Sequence, residues 1–265
     1  MRVLAAVATF VLCSATLPGA ALASAFLEPE GEGLLILATR FDRSSAYYDA
    51  RGKALPISAY RKFEISPYIE YGVTDWFTAI AQPSLAATRA SGPYGARFEG
   101  IGVGEFGGRV GIVELDEAVV AVQATVRTPL QARGLTAATI GDTTYAGDIR
   151  LMGATAFDID ALPVFAAVEV GYRVRGGGAR DEIRIDATLG SHPWPSLTLL
   201  AQTFSVFTQG PGGVYFPKMH AHKAEVSAVY HLTEEWSVQA GVFSTLFAQN
   251  ARLERGAVTA VWYKF

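Results

Sequence analysis

From Lys62 to Tyr71 the chain alternates. Lys62, Glu64, Ser66, Tyr68 and Glu70 fall on one face, and Phe63, Ile65, Pro67, Ile69 and Tyr71 on the other. A period of two belongs to an extended strand with one polar and one apolar face. The same period sets Val120, Val122, Ala124 and Val126 against Gln123, Thr125 and Arg127, and Ile183, Ile185, Ala187 and Leu189 against Arg184, Asp186 and Thr188. Segments 34–41, 77–85, 101–112, 148–157, 164–174, 197–205, 223–230, 237–243 and 257–265 complete a set of about twelve strands. Nothing after residue 25 forms a continuous apolar run of the roughly 20 residues that a spanning helix needs.

The connections alternate between long and short. Long ones run over 42–60, 87–100, 130–147, 175–181, 207–222 and 246–256, and short ones over 72–75, 114–117, 158–162, 191–196 and 232–235. Outer-membrane barrels keep this parity, with short periplasmic turns and longer extracellular loops, whereas a sandwich with Greek-key crossings has no reason to. The expected fold is therefore all-β: a closed antiparallel transmembrane β-barrel of about twelve strands, its apolar faces toward lipid. Two short turns carry flanking aromatics, Tyr71 with Trp76 and Tyr230 with Trp236, which predicts a periplasmic aromatic girdle. Pro67 lacks the N–H that a central strand needs, so a bulge is expected there.

Arg2 precedes an apolar run from Val3 to Leu17 and a small-residue stretch ending Ala21-Leu22-Ala23-Ser24-Ala25, the pattern of a secretory signal peptide over 1–25 cleaved after Ala23 or Ala25. The barrel domain is then 26–265. Cys13, the sole cysteine, lies inside that run, so the exported chain would hold neither disulfides nor thiolate metal sites. Half of the residues are hydrophobic and 18% are charged, with a formal net charge of −3, which argues against nucleic-acid binding. The 27 glycines suit turns and tight barrel packing.

At the end of the sequence Thr259, Val261, Tyr263 and Phe265 share one strand face. That ending resembles the closing strand of bacterial outer-membrane barrels, which implies Gram-negative outer-membrane lipid and the barrel-assembly machinery as partners. The order of Tyr47-Tyr48-Asp49, Gly52-Lys53, Tyr60-Arg61-Lys62-Phe63-Glu64, Glu70-Tyr71-Gly72-Val73-Thr74-Asp75, Gly241-Val242-Phe243, Asn250-Ala251 and Gly256 is similar to the transporter-like family named for the meta-pathway of phenol degradation. The resemblance implies a membrane route for small, often aromatic, compounds.

With the apolar face in lipid, the polar face lines the lumen. It collects Arg40, Lys62, Glu64, Glu70, Glu105, Arg109, Arg127, Asp148, Arg150, Glu169, Arg173, Arg184, Asp186, Lys223, Glu225 and Lys264. Four pairs lie two residues apart along one strand face: Lys62/Glu64, Asp148/Arg150, Arg184/Asp186 and Lys223/Glu225. Such charges either tie the wall together or line a hydrated passage with no strong ion selectivity. About eight strands fill a barrel and sixteen or more open it, so about twelve predict a narrow or gated path. His192 and His231 fall in turns and are expected to face solvent, while His220 and His222 lack a visible third metal ligand. No hydrolase-like His/Ser pairing occurs, and no cofactor or metal is implied. The expectation is passive passage of small molecules, with a plugged structural or surface-interaction barrel as the alternative and a hydrolase as the weakest reading. The solute and oligomeric state are left open, as is the role of the 207–222 loop.

Overall fold

The computed structural model describes residues 25–92, 95–115, 117–130, 145–213 and 216–265, so the expected signal peptide lies outside the described residues except for Ala25. Twelve strands follow in order: β1 (Gly33–Tyr48), β2 (Ala54–Thr74), β3 (Phe77–Ala90), β4 (Ala96–Leu115), β5 (Ala118–Pro129), β6 (Ala146–Ile159), β7 (Leu162–Arg175), β8 (Asp181–Trp194), β9 (Leu197–Gln209), β10 (His220–His231), β11 (Trp236–Gln249) and β12 (Ala251–Lys264). Each pairs antiparallel with its neighbour in sequence, and β12 returns to β1 to close the barrel.

The closing seam runs from Leu34 opposite Lys264 to Tyr48 opposite Ala251. Beyond the last strand residue, the Phe265 N–H donates to the Gly33 carbonyl at 3.0 Å and the Gly33 N–H donates to the Phe265 carbonyl at 2.7 Å. The Phe265 ring stacks with Tyr71 and Tyr263.

The alternation is resolved inside out. Leu37, Phe63, Val126, Ile149, Leu189 and Val242 are exposed, while Glu70, Arg109, Asp148, Arg173, Asp186 and Glu225 are buried. This is the distribution of a barrel whose solvent on the outside is hydrocarbon.

Three sequence expectations need correction. The first concerns the supposed long connections at 42–60, 87–100 and 246–256, which are mostly strand. β1 and β2 are joined over 49–53, and β11 and β12 by Asn250 alone. Asn250 takes a left-handed φ of 52°, which asparagine tolerates, and its side-chain amide donates to the Lys218 carbonyl at 2.7 Å. Long against short parity survives elsewhere but fails at this hairpin, because polar sequence beyond the membrane carried no mark that separated strand from loop.

The second concerns Pro67. It makes no bulge, since Leu37 faces it in an unbroken register with β1. On the other side, pairing with β3 stops after Ile65↔Leu85 and resumes at Ile69↔Ala81, which places Pro67 opposite Pro83. The two residues without an N–H therefore share one gap in the ladder, and the nearby shift in register falls between β3 and β4.

The third concerns charge pairing along a strand, which holds for Lys62/Glu64 and Asp148/Arg150 but not for the other two pairs. Asp186 turns to Arg150 and Arg184 to Glu182, while Lys223 takes Glu254 and Glu225 takes Arg40. Neighbouring strands stand about 4.8 Å apart against roughly 7 Å for residues two apart along a strand, so partners across strands compete well.

A Cβ on Gly256 would stand 1.9 Å from the Phe41 carbonyl oxygen, a backbone atom of the closing seam. Gly256→Val is expected to destabilise the barrel by about 1–3 kcal/mol, whereas Gly147→Ala, which meets nothing within 4 Å, leaves it unchanged. The temperature at which the folded band is lost in heat-modifiable gel migration checks both.

Candidate functional site

The interior has two tiers. At the short-turn end, which is the periplasmic end in barrels of this kind, β5, β6, β7, β9 and β10 turn apolar side chains inward. Val119, Met152, Ala154, Phe165, Ala167, Leu200 and Val229 form a buried cluster around Ala25, with Phe26, Ala156 and Trp262 packed against it. The N-terminal segment before β1 thus enters the barrel mouth and packs against its wall.

Its backbone is held residue by residue. The Glu28 N–H donates to Thr78 Oγ1 at 3.0 Å and the Glu30 N–H to Asp75 Oδ1 at 3.2 Å. The Gly31 N–H donates to the Gly72 carbonyl at 2.9 Å, and the Gly72 N–H to the Glu32 carbonyl at 2.9 Å. Gly72 is required by this approach, since a Cβ there would lie 1.9 Å from the Pro29 carbonyl oxygen. A Cβ on Gly111 would meet the Leu27 side chain at 2.6 Å.

Arg109 joins this segment to the wall. Its guanidinium donates to the Phe26 carbonyl at 2.6 Å, to Glu70 Oε1 at 2.5 Å, to Gln123 Oε1 at 3.1 Å and to the Tyr68 hydroxyl at 3.2 Å. The Tyr68 hydroxyl in turn donates to Glu70. Arg109 and Glu70 are both buried, so each depends on the other for its charge.

Above this tier lies a chain of ion pairs across β4 to β8. Arg127 meets Glu105 at 3.3 Å, and Glu105 meets Arg173 at 3.1 Å. Arg173 meets Asp148 at 2.9 Å, and Asp148 meets Arg150 at 2.8 Å. Arg150 then reaches Glu169 at 3.0 Å and Asp186 at 2.8 Å. Arg175 and Arg184 share Glu182 at 2.7 and 3.9 Å. Among the described residues, five arginines thus face five carboxylates, and these pairs balance in charge. On the other wall Arg40 meets Glu225 at 2.5 Å and lies 4.8 Å over the Phe243 ring. Lys62 pairs with Glu64, and Lys223 with Glu254.

Every charged residue singled out from the sequence for the interior therefore enters one of these contacts, apart from Lys264, which is exposed at the rim. Glu182, Arg175 and Glu254 were missed, although each continues the polar parity of its strand, while Tyr68 and Gln123 stand on the polar faces that alternation gave them. The apolar tier was missed too. Its signal was there: 118–122 and 164–168 are continuous apolar runs, which mark strands buried on both faces.

The histidines depart from expectation. His192 and His231 do not stand free in solvent; Thr198, fully buried, lies 2.9 Å from His192 Nδ1 and 2.9 Å from His231 Nε2. His231 Nδ1 lies 2.9 Å from Ser237 Oγ. His220 and His222 pack on Phe207 near the long-loop end, and His222 also on Phe247. Among the described residues no group of three or more His, Cys, Asp or Glu side chains could hold a metal. Tyr71, Trp76, Tyr230 and Trp236 are exposed at the short-turn end, and Trp236 stacks on Tyr263 with ring centroids 4.4 Å apart.

A closed antiparallel barrel with apolar outside and ion-paired inside is an outer-membrane β-barrel. No protein-family model matches the chain, and no curated protein matches it. Among solved structures it is similar to the COG4313 outer membrane channel from Pseudomonas putida F1, with a TM-score of 0.69 at 14% identity, over 91% of this chain and 98% of that one. It is also similar to the translocator domain of autotransporter NalP from Neisseria meningitidis, with a TM-score of 0.53 at 10% identity over 91% of each chain. The NanC porin follows, with a TM-score of 0.51 at 10% identity over 86% of this chain and 98% of that one. At these identities the likeness establishes the fold.

Arg109→Met leaves Glu70 buried without its cation and is expected to cost about 3–5 kcal/mol. Glu99→Gln removes an exposed pair and should cost less than about 1 kcal/mol. Urea unfolding in detergent micelles measures the difference.

Proposed function

We propose that the protein is an outer-membrane channel or uptake protein for passive passage of small molecules, small aromatic compounds among them, exported by its N-terminal signal peptide. The observation that carries this reading is the interior: lined over its upper tier by paired charges, with a short segment rather than a folded domain packed in its lower end. Paired charges that balance among the described residues suit weakly charged solutes and set no strong ion preference. The exposed aromatics at the short-turn end suit an interfacial girdle. The likeness to channels and a porin supports the same direction, and the aromatic preference rests on the family resemblance of the sequence. We assign no catalytic role.

Passage in this reading requires the N-terminal segment to leave the mouth. Planar-bilayer recordings test it: low conductance from the full exported chain, and a several-fold rise in a variant lacking residues 26–31. If both stay silent while well inserted, the second reading applies, a sealed barrel that works through its outer loops, which the packed mouth itself favours.

Glu28 gives the seal a pH dependence. Burial is the largest cause that raises its carboxyl from 4.5 to about 7, and the negative charges of Glu70 on β2 and Glu32 add to it. Lys264 on β12 and Arg109 on β4 act the other way. A carboxyl raised in the seated state supports seating fully below 4.5, and that support is lost as pH rises through about 7. Conductance should therefore increase between pH 6 and pH 8, and Glu28→Gln should flatten the profile; a wild-type conductance constant over that range contradicts this.

A further inference from the structure

On the outer face of the barrel near the long-loop end, five arginines stand in a single row. The pairing registers place Arg255 on β12 opposite Arg43 on β1, Arg43 opposite Arg61 on β2, Arg61 opposite Arg89 on β3, and Arg89 opposite Arg97 on β4. All five are exposed. Their parity is that of Phe41, Phe63 and Leu85, the exposed apolar residues of the same strands, so they point away from the lumen.

Like charges directly opposite on neighbouring strands destabilise a sheet, because their Cβ atoms come within about 5.5 Å. Five in succession, over four steps of about 4.8 Å, make a stripe roughly 19 Å long. Arg97 is balanced by Glu99 at 2.5 Å. No ion pair to a carboxylate joins Arg43, Arg61, Arg89 or Arg255 among the described residues. On other strands, nine to twelve residues from their short-turn ends, stand Val174 of β7, Phe207 of β9, His222 of β10 and Phe247 of β11, so the stripe does not run on around the barrel at that height.

Its height points to the occupant. Arg43 is ten residues along β1 from Gly33. At about 3.3 Å per residue and a tilt near 40° that is about 25 Å above the short-turn rim, the height of the apolar band of such barrels. The row also climbs, from Arg255 nine residues short of Lys264 to Arg97 eighteen residues from Leu115. It therefore starts at the edge of the hydrocarbon and continues outward through the headgroup layer. A ligand with one phosphate at one depth would use two of these arginines. A glycolipid whose anionic groups are spread along a sugar headgroup would use the row.

We propose that this stripe is a binding site for the phosphorylated glycolipid of the outer leaflet, lipopolysaccharide. Its phosphates accept charge-assisted hydrogen bonds from Arg43, Arg61, Arg89 and Arg255, while its acyl chains lie on Phe41, Phe63 and Leu85 below. Guanidinium groups match phosphate oxygens in pairs, which lysine cannot do, and five arginines without a lysine fit that chemistry. The site is independent of the lumen and of any channel activity.

The test is titration of the purified barrel in neutral detergent, read by native mass spectrometry, with diphosphorylated lipid A, dephosphorylated lipid A, phosphatidylglycerol and inorganic phosphate as probes. The triple variant Arg43→Gln/Arg61→Gln/Arg89→Gln should bind diphosphorylated lipid A about a hundredfold more weakly, near fivefold for each arginine removed. Arg61→Gln alone serves if the triple variant does not fold, with the fivefold loss expected. Heat-modifiable migration confirms folding in each case. Equal binding by wild type and folded variant overturns the proposal, as does equal binding of dephosphorylated lipid A or phosphatidylglycerol. Displacement by equimolar inorganic phosphate would make it a soluble-anion site and overturn it. Failure of the wild type to bind lipid A also overturns it and leaves the stripe to an acidic protein partner.

Discussion

Hydrocarbon offers no hydrogen bonds to a sheet edge, and each backbone group left open there costs several kcal/mol. A sheet in that solvent has to close on itself. In this chain the closure is the seam between β1 and β12, continued past the last strand residue by the reciprocal bonds of Gly33 and Phe265. Once the sheet is closed, each strand has an inside and an outside, and alternation along the sequence decides which residue meets which. Phe63 goes to lipid and Glu64 to the interior because the pleat leaves no third choice.

Closure then sets the problem for the interior. Arginines and carboxylates drawn into a narrow space cannot all reach bulk water, so each needs a partner. Arg150 serves Asp148, Glu169 and Asp186 at once, and Glu105 serves both Arg127 and Arg173. At the lower end the solution differs: apolar side chains take over, and the segment from Ala25 to Gly31 completes their packing. Arg109 belongs to both tiers, since one guanidinium binds the wall through Glu70 and the segment through the Phe26 carbonyl. Arg109 thus ties the segment before β1 to the polar wall of the barrel.

Much of the architecture was legible in the sequence because period-two alternation is a local signal. All twelve strand cores fall where alternation predicts them, and so does the closing strand. Strand ends were not legible: beyond the membrane both faces are polar, and 42–60 reads the same as strand or as loop. Partner choice was not legible either, since Asp186 meets Arg150 through a register that joins three strands. The arginine row was invisible for the same reason. Arg43, Arg61, Arg89, Arg97 and Arg255 are scattered in sequence and become a stripe only when four registers align them.

The residues before β1 are a seated part of the barrel. The amides of Glu28, Glu30, Gly31, Glu32 and Gly33 each have a hydrogen-bond acceptor. Hydrogen–deuterium exchange on the purified protein in lipid bilayers, followed by mass spectrometry of the peptide covering 26–33, measures this directly. Protection approaching that of β1 is the result predicted. Exchange as fast as that of an exposed loop would contradict it.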